Sequence, residues 1–294
     1  MYELVKVTDR TFYIECPAKM GLYIDDDGRA ILIDSGGDKD AGRKVMKHLD
    51  ENGWELKAII NTHSNADHIG GNKLIMNRTG AAAYTTRSEG AINEWPQFEP
   101  TILYGGYPLK ALRNKFLMAK ETPFTDIDEM DMPDGMEYFR LPGHFIDMIG
   151  IKTPDDVYFM ADCVSPANIL EKYHVGYIYD VAAYLETLDK IEDWQAVKFI
   201  PAHAPAADSM KELCRINREN VLQNIELIKK ICKEPKSPDQ IEKEVFDHYD
   251  LVMDFNQYVL VGGTLRSYCS YMADNNMLEY EFADNMLKWK TALV

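Results

Sequence analysis

No apolar run in this chain approaches the roughly 20 residues needed to cross a bilayer, which excludes a helical membrane span. The N-terminus, MYELVKVTDR, is charged from the start and lacks the apolar stretch of an export signal. Positive charge is also scarce. The 294 residues carry a formal net charge of −16, and the densest basic stretch, Lys229, Lys230 and Lys233, is interleaved with Glu226 and Glu234 as on a solvated helix face. Such a surface repels polyanions, so nucleic acid is not expected as a partner, nor a membrane. The five cysteines, at 16, 163, 214, 232 and 269, show no pairwise spacing, and a chain of this length needs no covalent staples. Reduced thiols in a cytoplasm are expected, with Cys163 a small buried residue. An ordinary hydrophobic fraction of 46% remains, enough for one large domain or a domain with an appendage.

Against this background one stretch stands out, residues 56–72, LKAIINTHSNADHIGGN. A short apolar strand runs into a loop holding His63, Asn65, Asp67 and His68, and a Gly-Gly pair then opens a helix. Imidazoles and a carboxylate crowded at the end of a buried strand suit a divalent metal, because the strand fixes the backbone while the loop turns several side chains inward. Residues 63 and 65, two apart in a nearly extended segment, can face one ion while Asp67 and His68 turn toward another.

Four more strand ends follow the same logic: Asp34-Ser35-Gly36, Pro142-Gly143-His144, Ala161-Asp162 and Pro201-Ala202-His203. Taken in order, these segments make residues 1–205 resemble the metallo-β-lactamase superfamily and its H-x-H-x-D-H signature, with Asn65 standing where the second histidine belongs. The resemblance implies an α/β chain with the four-layer αββα metallo-β-lactamase fold. It further implies one metal position formed by His63, Asn65 and His144 and a second by Asp67, His68 and His203. Asp162 would bridge them, and Asp34 would orient the loop from behind. Zinc, as one or two ions, is the expected cofactor; iron or manganese would accept the same donors. Water held between two ions can lose a proton near neutral pH and supply hydroxide as nucleophile. An amide oxygen is a poorer zinc donor than imidazole, so Asn65 is expected to weaken the first position and make the centre mononuclear or asymmetric. Asp67 and His174 are the candidate catalytic residues. For His174, three roles stay open: replacement ligand, substrate contact or acid, and surface residue. His48 and His248 fall in expected helices and are taken as structural.

Patterning places strands around 4–7, 11–16, 20–24, 30–33, 57–61, 81–85, 136–141, 149–153, 157–160 and 197–200, with helices over 38–52 and 181–191. Residues 87–134 break this alternation. They hold Trp95, Phe98, Tyr104, Tyr107, Phe116 and Phe124, several prolines, Gly105-Gly106 and one expected helix near 109–119. An insertion of this kind is expected to roof the site and set substrate choice. Residues 163–178 are expected to form a loop. The tail, 206–294, is expected to be a second unit of three helices and a hairpin, similar to the winged-helix-like extension of some superfamily hydrolases. Its would-be recognition helix offers only Arg266 as a cation, which leaves the tail to packing or a homodimer contact.

The leading functional expectation is a cytoplasmic hydrolase of a small-molecule ester, thioester, lactone or phosphoester. A nuclease would need clustered cations around the cleft. An iron dioxygenase would use the two-histidine, one-carboxylate face of His63, His144 and Asp162 and would have no need of Asp67 and His203. A non-enzymatic, metal-stabilised binding or assembly module is the alternative from outside catalysis.

Overall fold

The computed structural model describes residues 2–292. The chain opens with an antiparallel meander, β1 (Glu3–Lys6), β2 (Thr11–Glu15), β3 (Met20–Ile24) and β4 (Ala30–Ile33). Helix α1 (Lys39–Asn52) then crosses back to β5 (Leu56–Ile60), which pairs parallel with β4. Capping marks both ends of α1: the Asp38 carboxylate accepts from the Asp40 and Ala41 N–H groups, and Gly53 closes the helix in the left-handed region. The short helices α2 (Ala66–Ile69) and α3 (Asn72–Thr79) lead to β6 (Ala82–Thr85). After α4 (Arg87–Glu94) and α5 (Phe98–Tyr104), the edge strand β7 (Thr125–Asp126) completes a seven-stranded sheet in sequential order.

A second sheet holds β8 (Glu137–Arg140), β9 (Ile149–Lys152), β10 (Val157–Ala161) and β11 (Lys198–Pro201), ordered β11-β10-β9-β8. Helices α6 (Ala167–Tyr173) and α7 (Val181–Ile191) lie between β10 and β11. The tail follows as α8 (Lys211–Ile231), α9 (Pro238–Tyr249), α10 (Phe255–Asp274) and the hairpin β12 (Leu278–Ala283)–β13 (Met286–Thr291). The expected start of α9 is present: Ser237 and Gln240 cap one another reciprocally, with Pro238 at the first helical position.

Strand alternation sorts the core into layers. Along β4, Ile31 and Ile33 face the second sheet, where they meet Ile149, Ile151 and Phe159, while Ala30 and Leu32 face Val45 and Leu49 of α1. On β10, Val157 and Phe159 point between the sheets, and Met160 points out toward Leu188 of α7. The result is helices, sheet, sheet, helices, the αββα arrangement. The sheets pack so closely that a methyl group on Gly21 would lie 2.4 Å from the Phe159 ring. The tail helices extend the outer layer: Cys214, Val221, Ile225, Val245, Leu265 and Tyr268 share one buried cluster with Leu141, Met160 and Phe199 of the second sheet. Among the described residues no helix is long and apolar enough to cross a membrane.

Two local expectations are corrected. The helix expected near 109–119 is a series of turns, because the Asn114 side chain bonds to its own neighbourhood: Oδ1 accepts from the Phe116 N–H and Nδ2 donates to the Ala111 carbonyl. The insertion's helices lie earlier, at α4 and α5, and the second stops at Gly105 in the left-handed conformation. The loop expected over 163–178 contains α6, opened by Pro166 and ended by His174 at φ 57°.

Candidate metal centre

Every expected donor except His174 arrives at one end of the sandwich, from the connection that follows a strand, Asp67 and His68 from the short helix α2 within it. β5 delivers His63, Asn65, Asp67 and His68, the β8–β9 connection delivers His144, β10 delivers Asp162, and β11 delivers His203. The turns are sharp and crowded. Asp34, at the end of β4, sits at φ 58° and Ala161 at φ 48°. Gly71 permits the 34–37 turn to approach, since a methyl group there would lie 2.3 Å from the Ser35 carbonyl oxygen. Gly143, at φ 123°, lies where a methyl group would come 2.4 Å from the Tyr184 backbone.

Six residues fall into two sets whose donor atoms crowd together: His63, His144 and Asp162; and Asp67, His68 and His203. Asp162 links them. Its Oδ1 lies 3.1 Å from His68 Nε2, and its Oδ2 lies 3.1 Å from His203 Nε2, 3.5 Å from His144 Nε2 and 3.9 Å from His63 Nε2. Asp67 Oδ2 is 3.3 Å from His203 Nε2. Asn65 joins the first set with its oxygen, 3.3 Å from His144 Nε2.

Hydrogen bonds on the far side of each ring decide which nitrogen faces inward. The His144 Nδ1–H donates to the Tyr177 carbonyl at 3.1 Å and the His203 Nδ1–H to the Pro17 carbonyl at 2.7 Å; a carbonyl can only accept. The His68 Nδ1–H donates to Asp34 Oδ2 at 2.8 Å. That same oxygen accepts from the Thr62 hydroxyl at 2.7 Å, which leaves the Thr62 oxygen to accept from the His63 Nδ1–H at 3.0 Å. All four imidazoles therefore turn Nε2 inward. Three buried atoms there, His63 Nε2, His68 Nε2 and Asp162 Oδ1, have no hydrogen-bond partner, a costly state unless something else satisfies them. Zinc bonds to nitrogen and oxygen of about 2.0–2.1 Å place tetrahedral neighbours about 3.3 Å apart, so the donor set and its spacings fit such an ion.

Electrostatics point the same way. Burial alone would depress His203, yet the Asp162 and Asp67 carboxylates outweigh it and push the ring up to about 10. His68 is raised against burial by Asp162, Asp34 and Asp67. Burial, then the neighbouring His68, holds His63 below its ordinary value. For Asp162, burial is outweighed by His203 and His68, which keep its carboxyl low. Carboxylates that favour a proton on inward nitrogens favour any cation there, and a divalent metal competes for the same lone pairs.

His174 lies elsewhere. Its ring stacks on Tyr249 of α9 at 4.1 Å, and its carbonyl accepts from Asn220 and Asn224 of α8. Turning the chain at the end of α6 directs that ring into the tail, and it is Tyr177, three residues on, that reaches the site. His48 bonds the Tyr2 carbonyl and His248 packs on Tyr249. Cys163 is fully buried, and burial raises its thiol well above the ordinary range, which suits a packing residue.

Two acids from the insertion had no signal in the motif pattern. Glu89 of α4 clamps the metal loop to the 144–148 turn: it accepts from the Ser64 N–H at 3.0 Å, the Ser64 hydroxyl at 2.6 Å and the Asp147 N–H at 2.7 Å. Glu99 of α5 accepts from Asn65 Nδ2 at 2.9 Å and is 4% exposed. Burial raises both carboxyls, Glu89 to about 7. Glu99, Leu103 and Leu117 of the insertion share with Phe145, Tyr177 and Leu260 the walls of a cavity of about 180 Å³ over the donors. Asp67 and Phe116 also border a second recess, which shares Gly37, Asp38 and Lys115 with a 620 Å³ depression. There the fold gathers Lys39, Lys73, Arg78, Lys115 and Lys120, with Asp38 and Asp40, from segments far apart in sequence.

A family model, that of the metallo-beta-lactamase superfamily, matches residues 17–203. The chain belongs to this superfamily. Solved superfamily structures share its fold at low identity. A beta-lactamase domain protein from Burkholderia ambifaria superposes with a TM-score of 0.76 at 16% identity, over 99% of this chain and 94% of that one. A metallo-beta-lactamase family protein from Thermus thermophilus gives 0.72 at 15%, over 97% and 100%. The subclass B3 metallo-beta-lactamase of Bradyrhizobium japonicum gives 0.58 at 15%, over 76% of this chain and 94% of that enzyme. Among curated sequences, the hydroxyacylglutathione hydrolase of Enterobacter sp. (strain 638) is 39% identical over 62 residues, 20% of this chain and 23% of the relative. That of Cronobacter sakazakii is 36% identical over 81 residues, 25% and 31%. The chain thus matches less than a third of the length of either relative.

Proposed function

We propose that this superfamily member is a metal-dependent hydrolase of a small-molecule ester, and that an acyl thioester is the class its site suits best. The observation that carries the proposal is the common orientation of the four imidazoles, each giving its Nδ1–H outward and presenting Nε2 to Asp162. His63, Asn65 and His144 would hold one ion and Asp67, His68 and His203 the other, with Asp162 between them. When bound, the metal supplies hydroxide near neutral pH and polarises the carbonyl oxygen of the ester.

The chain's own residues do the rest. Asp34, the Tyr177 carbonyl and the Pro17 carbonyl keep the rings in the tautomer that leaves Nε2 bare. Leu103, Leu117, Phe145 and Leu260 form an apolar wall for the acyl group and keep bulk water from the ester carbon. The recess beside Lys115 suits the anionic carrier half of a thioester, a distribution that a neutral ester would not use. The partial likeness to hydroxyacylglutathione hydrolases supports the thioester class.

The test is a panel of acyl thioesters, lactones, simple esters and phosphodiesters offered to zinc-loaded protein. Turnover should be greatest on an anionic thioester and fall at least a thousandfold in Asp67→Ala and His203→Ala. Turnover unchanged in either variant, or none on any ester while a phosphodiester is cleaved, would refute the proposal.

A further inference from the structure

Asn65 occupies the N-cap of α2, a position where an asparagine side chain ordinarily accepts from the first turn of its helix. Here it makes no capping bond. The carboxamide is held instead between two groups. Its Nδ2 donates to Glu99 Oε1 at 2.9 Å, and its Oδ1 lies 3.3 Å from His144 Nε2. The second contact is not a hydrogen bond in which His144 donates. With Nδ1–H given to the Tyr177 carbonyl, neutral His144 carries a lone pair at Nε2, so two acceptors face each other with Asp162 Oδ2 3.5 Å away. A carboxamide that turned over would present N–H groups to His144 and to any cation beside it, ending its use as a donor atom. What opposes that turn is the acceptor behind it, a glutamate brought 34 residues along the chain by α5 and almost completely buried.

We propose that Glu99 is a positioning residue that holds the Asn65 carboxamide with its oxygen toward His144 and Asp162, so that the amide oxygen takes the donor place an imidazole holds in the H-x-H-x-D-H pattern. The assignment rests on the two-position reading of the centre given above. It makes the asparagine and the insertion helix one device: the residue at 65 supplies the donor atom, and α5 supplies its orientation. It also gives the buried acid a task that packing alone would not, since an apolar side chain would fill the same place without the cost of desolvating a carboxyl.

The experiment is zinc binding to the full chain, followed by competition with a chromophoric chelator and by cobalt(II) absorption, with the first-position equivalent defined as the one lost in His144→Ala. Glu99→Leu removes the acceptor and should weaken that position tenfold to a hundredfold, the usual effect of losing an outer hydrogen-bond partner. Glu99→Gln, whose amide oxygen can still accept from Asn65, should recover most of the loss. The deciding pair is made on Asn65→Asp, whose carboxylate offers an oxygen whichever way it turns. On that background Glu99→Leu should change first-position affinity by less than about threefold, because a carboxylate needs no partner to turn an oxygen toward the ion. Equal weakening on both backgrounds would make Glu99 a packing residue and overturn the proposal. So would a first position indifferent to Glu99→Leu, or wild-type protein that binds a single ion insensitive to His144→Ala. Wild-type protein that binds no zinc at all would remove the two-position reading itself, and the proposal with it.

Discussion

Asp34→Asn tests the device that aims the histidines. Asp34 sits at φ 58°, a conformation asparagine adopts readily, so the exchange leaves the backbone unstrained and alters only one oxygen. The carboxylate now accepts three bonds: the Thr62 N–H at Oδ1, and the Thr62 hydroxyl and the His68 Nδ1–H at Oδ2, all within 2.7–2.8 Å. An asparagine can serve one side only. If its oxygen stays on the Thr62 N–H, its NH₂ opposes the His68 Nδ1–H, and His68 escapes by moving its proton to Nε2, the atom that faces Asp162. If the amide turns the other way, the Thr62 N–H is left buried and unpaired. Either state loses about 1–3 kcal/mol of folding stability. The first also weakens zinc at the position holding His68 by about tenfold to a hundredfold, or roughly 1.4–2.7 kcal/mol. Chelator competition gives the affinity, urea unfolding the stability, and nitrogen-15 shifts of the imidazoles the tautomer. Zinc affinity within threefold of wild type, with His68 still protonated at Nδ1, would refute the reasoning.

Other consequences are separable. In metal-free protein His203 is raised to about 10, so the stability it contributes is complete below its unfolded value near 6.5 and disappears as pH rises through 10; the Tm difference between wild type and His203→Gln, followed by calorimetry, should shrink over that window. Glu242 on α9 is 3% exposed with one carboxyl oxygen unpaired, and burial raises it to about 7. Its ionisation therefore costs stability increasingly as pH climbs from about 4.5 through 7, and Glu242→Gln should gain about 1–2 kcal/mol at pH 8 after allowing for solvent screening, and nothing at pH 4, by urea unfolding. Reversing Lys73 and Arg78 together to glutamate should raise KM for an anionic thioester about tenfold at low salt, with kcat within twofold and the effect fading at high salt.

Residues that bind through their own chemical type were legible in the sequence, and those that act through placement were not. His63, Asp67, His68, His144, Asp162 and His203 each follow a short apolar strand, and it was the resemblance of these strand ends, taken in order, to the superfamily motifs that implied a common role; the fold brings these same side chains to one place. Asp34 was placed behind the loop by the same resemblance. Glu99 could not be read this way: α5 is 7 residues long, too short to display a helical period, and an acid among aromatics in an irregular insertion looks like any surface charge until the fold buries it. The cations at 39, 73, 78, 115 and 120 were invisible as a patch because the sequence interleaves them with acids and spreads them over separate segments. His174 shows the converse. Its residue type invited a functional role, while the helix that ends there turns its ring onto Tyr249 and leaves Tyr177 to reach the cavity. Asn65 belongs to both cases, since its departure from the motif was plain in the sequence but its meaning depends on a partner 34 residues away. Whether an asparagine in a histidine's place disables a metal position or serves it is therefore decided by what stands behind the amide, and here that is a buried acceptor supplied by the segment in which this chain departs from simple strand and helix alternation.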